Sequence, residues 1–321
     1  MTPRPLVIAH RGASGYRPEH TRAAYELAIE LGADAIEPDI VATSDGILVL
    51  RHENEISGTT DVASRPEFAD RRTTKVIDSA AHTGWFTEDF TWAELQTLRA
   101  IERLPKVRPE SAAFDGRFGI LRLTDLLEIL DAAPRPVTLV AEIKHATYFA
   151  SIGLPLDELF AREIRRWATA DNLVIESFEQ SVLERIRRLG VPGKLVYLIE
   201  RCGAAEDLIA AYRSRAPSYA SQLSEQGLAK LANEVDGISP NVALLRGVHG
   251  TELVARAHAL GLEVFTWTLR AENRFLRRRF RAGDSHEYGD WLAAFTAVMA
   301  TGVDGVFTDQ PDLAIRARDA L

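Results

Sequence analysis

Short apolar runs alternate with helical stripes along most of the chain. Leu6 to Ala9 is a compact run of the buried-strand kind. Ala23, Ala24, Leu27, Ala28 and Leu31 then form an apolar stripe at helical spacing that stops at Gly32. Ala35 to Val41 predicts the next strand, Ser44-Asp45-Gly46 is a hairpin turn signal, and Ile47 to Leu50 returns. Further strands are predicted over Val137 to Ile143, Leu173 to Ser177, Leu195 to Ile199, Gly237 to Ser239, Val264 to Thr268 and Val303 to Thr308. Helical stretches separate them: Pro155 to Thr169, Ser177 to Leu189, Ala204 to Tyr212, Ser224 to Asn233 and Thr251 to Leu260. Ser177 and Gln180 stand at capping-box spacing. With the 47–50 run as the return arm of a hairpin, eight strands remain, each followed by a helix. Repeated βα units imply a parallel sheet, and eight of them close a barrel. The predicted class is α/β, a (β/α)8 TIM barrel, with a doubly wound sheet as the competing arrangement.

Two stretches break this rhythm. Residues 54–122 are too long for a βα loop and carry Trp85, Phe86, Phe90 and Trp92, with a capping box at Thr91 to Glu94. They read as a small insertion subdomain or lid after the hairpin of the second strand, within one catalytic domain spanning 1–321. The second stretch, Arg270 to Thr301, predicts two helices before the last strand, and the basic run Arg274 to Arg281 reads as a solvated helix face.

Composition adds bounds rather than detail. A net charge of −8 disfavours non-specific nucleic-acid binding. No window approaches the roughly 18 apolar residues of a membrane span. The opening MTPRPLVIAHRG has no basic n-region followed by an apolar h-region, so a cytoplasmic protein is expected, although a mature secreted form reads the same way. The lone Cys202 forms no intramolecular disulfide and reads as a small buried or half-buried apolar residue.

The chemistry gathers at strand ends, where a barrel of this type keeps its active site. His10 and Arg11 close the first strand, Glu37 and Asp39 the second, and Glu142 and Lys144 the third. Glu37 and Asp39, two apart on a strand, leave by the same face, where like charges repel and are costly to bury. A bound cation removes that conflict, and Glu142 completes a set of carboxylates suited to Mg²⁺ or Ca²⁺. Alternatively the carboxylates are salt-bridged to Arg11 and Lys144. A hairpin turn centred on Ser44 to Gly46 pairs residue numbers summing to about 91. Position 52 then falls opposite 39, which returns His52 to the site beside His10. Two histidines at such a site suit general acid and base. Arg11 and Lys144 suit the oxygens of a phosphate. The chain has no G-x-S-x-G, P-loop or G-x-G-x-x-G motif, and no zinc spacing.

These residues closely resemble the glycerophosphodiester phosphodiesterase family, in the strings IAHRGASGYRPEHT, AIEPDIVATSDG and LVLRHEN, and on through AEIK at 141–144, FTWT at 265–268 and GVFTDQPD at 305–312. The resemblance implies a TIM barrel with a small insertion. It implies hydrolysis of small glycerophosphodiesters to sn-glycerol 3-phosphate and an alcohol, in lipid and glycerol metabolism. The glycerol 2-hydroxyl then serves as a first, internal nucleophile. By the resemblance, His10 and His52 are the acid/base pair, Glu37, Asp39 and Glu142 hold one divalent cation, Arg11 and Lys144 contact phosphate, Trp267 lines the pocket, and Glu19 stands near the site. The chain departs from the family pattern at Glu53, usually aspartate, and at His20, usually asparagine. Rival readings are a phospholipase D- or sphingomyelinase-like lipid phosphodiesterase, with the Trp85 to Trp92 cluster as its apolar entrance, and a non-catalytic, metal-dependent ligand-binding barrel.

Overall fold

A computed structural model describes residues 4–321, so residues 1–3, part of the stretch read for a leader, lie outside the described residues. Its strands are β1 (Leu6–His10), β2 (Ala35–Glu37), β3 (Asp39–Ala42), β4 (Leu48–Leu50), β5 (Thr73–Ile77), β6 (Ala80–Gly84), β7 (Thr138–Ile143), β8 (Leu173–Ser177), β9 (Lys194–Ile199), β10 (Gly237–Pro240), β11 (Glu263–Leu269) and β12 (Gly305–Thr308). The order β2-β1-β12-β11-β10-β9-β8-β7-β3 is parallel throughout, and β2 also pairs with β7. The sheet therefore closes into the eight-stranded barrel the alternation predicts, with β2 and β3 sharing one position.

Period-two alternation sets the bore. Val7 and Ala9 face the surrounding helices, whereas Ile8, Ala35, Val140, Val174, Val196, Phe265 and Phe307 form a separate buried cluster inside the barrel. Gly305 lacks a side chain because Phe265 fills its space: a Cβ there lies 3.0 Å from the Phe265 ring and 3.3 Å from Ile8. This apolar layer plugs the bore, and the site sits on top of it.

Several local expectations need correction. The predicted strand from Ala35 to Val41 breaks at Pro38, which has no N–H to give a ladder but whose carbonyl accepts from Glu142 N at 2.9 Å. The hairpin pairs numbers summing to 90, with Ile40 opposite Leu50. Arg51 N therefore donates to the Asp39 carbonyl at 3.1 Å, and His52 lies one residue beyond the place expected for it. Ser177 forms no capping box. Its hydroxyl donates to the Ile143 carbonyl and accepts from Glu179 N, and the helix starts later, at Gln180. Between Arg270 and Thr301 there is one α-helix, Trp291–Met299, in place of two. The basic run holds only a short 3-10 turn at Arg278–Phe280. Asn273, bonded to Ala282 and to the Asp284 carbonyl, ties this segment into a loop. Cys202 is exposed.

The 54–122 stretch packs onto the barrel, with Val62, Phe68, Trp85, Phe90 and Leu95 in the same buried apolar cluster as the barrel's outer face. Trp85, Phe86 and Phe90 are buried, with Phe90 edge-on to Phe68, so this cluster is interior and forms no apolar entrance. Its antiparallel hairpin, β5 with β6, turns at Asp78 and Ser79, both with positive φ. There Asp78 bonds His145 Nδ1 at 2.5 Å and Ser79 donates to Glu206 at 3.0 Å. Among the described residues, no helix is long and apolar enough to cross a membrane.

Candidate active site

The apolar layer also dictates what stands above it. Two residues on from Ile8, Ala35, Val140, Val174, Phe265 and Phe307 come His10, Glu37, Glu142, Glu176, Trp267 and Asp309. Side chains two apart on a strand share a face, so the alternation that fills the bore delivers these groups to the C-terminal mouth. A cavity of about 640 Å³ opens there, lined among others by His10, Arg11, His52, Glu142, Lys144 and Trp267. Glu37 and Glu176 line it as well, whereas Glu19 and Asp39 stand behind its wall.

The carboxylates divide by surroundings. Glu37, Glu142 and Glu176 each bring an oxygen within 4.8 Å of the others, all buried. Burial, reinforced by Asp39 and Glu176, pushes Glu37 well above the usual carboxylate range. Burial, with Glu142 and Asp39, does the same to Glu176. Glu142 is pushed up to about 8, again chiefly by burial, with Asp39 adding to the rise and Lys144 opposing it. Asp39 goes the other way. Burial opposes its charge, but Arg11, His52 and Lys144 outweigh that and hold it well below the usual range. Its Oδ2 lies 3.0 Å from both Arg11 Nε and His20 Nε2, and its Oδ1 is 3.5 Å from Lys144 Nζ. Lys144 also donates to Glu142 at 2.6 Å. Glu37 Oε1, Asp39 Oδ1 and Glu176 Oε2 are buried without a hydrogen-bond partner. Such orphaned acceptors fit a hard divalent cation, which takes carboxylate oxygens as ligands and relieves their mutual repulsion.

Each histidine has a carboxylate behind it. His10 Nδ1 meets Asp309 Oδ1 at 2.7 Å, and His52 Nδ1 bonds Glu53. An ionised carboxylate only accepts, so both rings carry their proton on Nδ1 and keep Nε2 as the base. Burial pulls His10 down to about 4, with Arg11 adding to it and Asp309 opposing. His52 is pulled to about 3 by burial, Arg11 and Lys144.

The sequence profile of the glycerophosphoryl diester phosphodiesterase family matches residues 10–313. The chain belongs to that family. A glycerophosphodiester phosphodiesterase of Arabidopsis thaliana is 34% identical, over 96% of this chain and 84% of its own. One from Haemophilus influenzae is 25% identical, over 97% of this chain and 88% of its own. A phosphodiesterase from Oleispira antarctica, solved in complex with the product sn-glycerol-3-phosphate, superposes with a TM-score of 0.65. It is 20% identical, covering 98% of this chain and 97% of its own, and at that identity it speaks to the fold.

Both departures from the usual pattern of this phosphodiesterase family have partners. Glu53 bridges His52 to Arg103, which donates to both its oxygens at 2.9 and 2.6 Å. His20 is wholly buried, joining Asp39 to the Tyr25 hydroxyl at 2.7 Å. Sequence reading missed Glu176, Asp309, Arg103, Arg108 and Arg270. The first two were within reach, because each lies two residues beyond an inward apolar residue. The arginines carry no such periodic signal.

Proposed function

We propose that this chain hydrolyses glycerophosphodiesters to sn-glycerol 3-phosphate and an alcohol, with His10 and His52 as the acid/base pair beside one divalent cation. The observation that carries this is the pair of carboxylate-backed rings lining the same cavity as three buried glutamates. Family membership and the product complex of the Oleispira relative support the substrate class. Glu37, Asp39 and Glu142 would hold the cation, with Glu176 as a further oxygen donor. When bound, such an ion activates a hydroxyl and stabilises developing negative charge.

The chain's own groups do the rest. Arg11 and Lys144 offer charge-assisted donors to the phosphate oxygens and fix the diester in the mouth. One ring accepts at Nε2 the proton of the attacking glycerol 2-hydroxyl, and the other, protonated at Nε2 once the phosphodiester anion is bound, gives that proton to the leaving alcohol. Water then opens the cyclic phosphate as both rings return to their starting protonation. Burial depresses both rings, and Arg11 adds to this at each. Arg270 at His10 and Lys144 at His52 add further positive field, which an arriving phosphodiester anion offsets as it binds. Trp267, edge-on to Phe178 at 5.4 Å, is a wall for the apolar part of the substrate. The insertion, as a subdomain of a single 1–321 catalytic domain, covers one side of this mouth.

The test is release of sn-glycerol 3-phosphate from glycerophosphocholine, with EDTA, Mg²⁺ or Ca²⁺, beside His10→Ala and Glu37→Ala. Metal-dependent release that both substitutions abolish is expected. No release from folded protein with either ion removes the reading.

A further inference from the structure

Arg103 and Arg108 lie in the insertion, on either side of a tight turn in which Val107 and Arg108 both donate to the Leu104 carbonyl. From this one turn each arginine reaches the carboxylate behind a different histidine. Arg108 Nη2 donates to Asp309 Oδ2 at 2.5 Å, on the carboxylate whose other oxygen meets His10. Arg103 grips Glu53 through both terminal nitrogens, behind His52. We propose that Arg103 and Arg108 are positioning residues, and that the 103–108 turn is a double clamp holding both site histidines in one tautomer and orientation. The inference rests on the reading of His10 and His52 as the acid/base pair.

The two halves of the clamp meet different needs. Asp309 is 1% exposed, and burial works against its charge. It stays an anion because Arg270 and Arg108 donate to it, the former from Nε at 2.6 Å. A buried carboxylate stripped of one cation is pushed towards its neutral form, and a carboxylic acid no longer requires a proton on His10 Nδ1. Arg108 is itself fixed, bonded to Glu272 at 2.7 Å and to the Ser14 carbonyl at 3.0 Å. Glu53 poses another problem. Its side chain is 34% exposed, so it has rotamers to lose, and a planar guanidinium gripping both oxygens restricts them as a single donor does not. The other edge of Arg103 grips both oxygens of Glu19 at 2.7 and 2.8 Å, and Glu19 accepts from Arg11 at 3.1 Å. One arginine thus orients His52 and, through Glu19, the phosphate-facing Arg11.

A staple that merely anchors the insertion makes different predictions. In the metal-free full chain, ¹⁵N-labelled histidine reports which ring nitrogen carries the proton. Arg108→Met is expected to mix the two tautomers at His10 alone, and Arg103→Met at His52 alone. With glycerophosphocholine, each lowers kcat by about 10- to 100-fold, as is usual when the group orienting a functional side chain is lost. KM stays within about twofold for Arg108→Met, since that residue does not face phosphate. Arg108→Lys, which keeps the charge, recovers part of both readouts. Unchanged histidine spectra in folded variants, or a kcat loss with no tautomer change, overturn the clamp. Should a methionine variant fail to fold, the lysine variant at the same position decides by the same spectra. Should the parent protein release no product, the substrate reading has failed, and the spectra still judge the clamp on their own.

Discussion

Removing the cation is expected to make the protein less stable as pH rises from 6.5 to 8, the opposite of what its buried histidines do. Glu142 is held at about 8, against 4.5 when unfolded, while Glu37 and Glu176 are raised well above 4.5. Over this window the unfolded glutamates are ionised, while folded Glu142 holds its proton until it titrates at about 8 and Glu37 and Glu176 are shifted in the same direction, so stability falls with pH. Each retained proton contributes about 1.4 kcal/mol per pH unit, or roughly 2 kcal/mol across the window. The histidines act below it. His10 and His20 are held at about 4 and His52 at about 3, against 6.5 unfolded, so their contribution is present above 6.5 and is lost as pH falls through the folded values. Above 6.5 the glutamates therefore act alone among these groups. Urea melts in EDTA should show a midpoint falling from pH 6.5 to 8, and saturating Mg²⁺ or Ca²⁺ should flatten it, because the ion displaces the same protons. A metal-free curve that is flat or rising over this window refutes the argument, as does an equal slope with the ion bound. Glu176→Gln, which removes one of the crowded charges, should lessen the metal-free slope.

Three further outcomes follow from the geometry. Gly12→Ala should cost about 1–3 kcal/mol in a denaturant melt, because Gly12 has φ +85° and a Cβ there lies 2.7 Å from the Ala24 carbonyl carbon. His20→Asn, which installs the usual family residue, should cost about 1–3 kcal/mol by leaving the buried Tyr25 hydroxyl unpaired, and adding Tyr25→Phe should recover part of it. Asp78→Ala removes the bond from the hairpin tip to His145, so limited proteolysis should cut near residues 78–80 faster while the thermal midpoint of the barrel holds.

Much of the barrel was legible because its signals are local. Strands buried on both faces read as apolar runs, helices between them as stripes, and eight alternations leave few ways to close. The three strand-end pairs, His10 with Arg11, Glu37 with Asp39 and Glu142 with Lys144, were visible for the same reason. Glu176 hid in plain view: Leu173 to Ser177 reads as a strand, but the sequence alone does not align its inward acid with Glu37 and Glu142. The register makes the link, since Glu142 pairs directly with Glu176. The hairpin shows how far one residue matters. A sum of 90 puts Arg51, fully buried and bonded to the Leu50, Thr59 and Glu19 carbonyls, in the place opposite Asp39. His52 then follows as the first residue free to face the mouth.

The insertion resisted reading for a physical reason. Its arginines act through contacts far away in sequence: Arg103 with Glu19 and Glu53, and Arg108 with Glu272 and Asp309. No period in the chain encodes such pairs, because each partner is set by where the barrel brings its ends. Exposed arginine runs look alike whether or not they have a partner. Arg274 to Arg281 read as a helix face and is a loop, whereas Arg103 and Arg108 read as nothing and reach the two best-formed dyads. The contrast lies in what each meets. Arg108 ends on two buried carboxylates that are costly to leave unpaired, whereas Arg277 to Arg279 remain in solvent, where an ion pair is worth little. A buried acid at a barrel mouth therefore predicts a cation, either a bound ion, as proposed for Glu37 and Glu176, or a side chain, as for Asp309, and for the latter the longest break in the βα rhythm is a natural place to look.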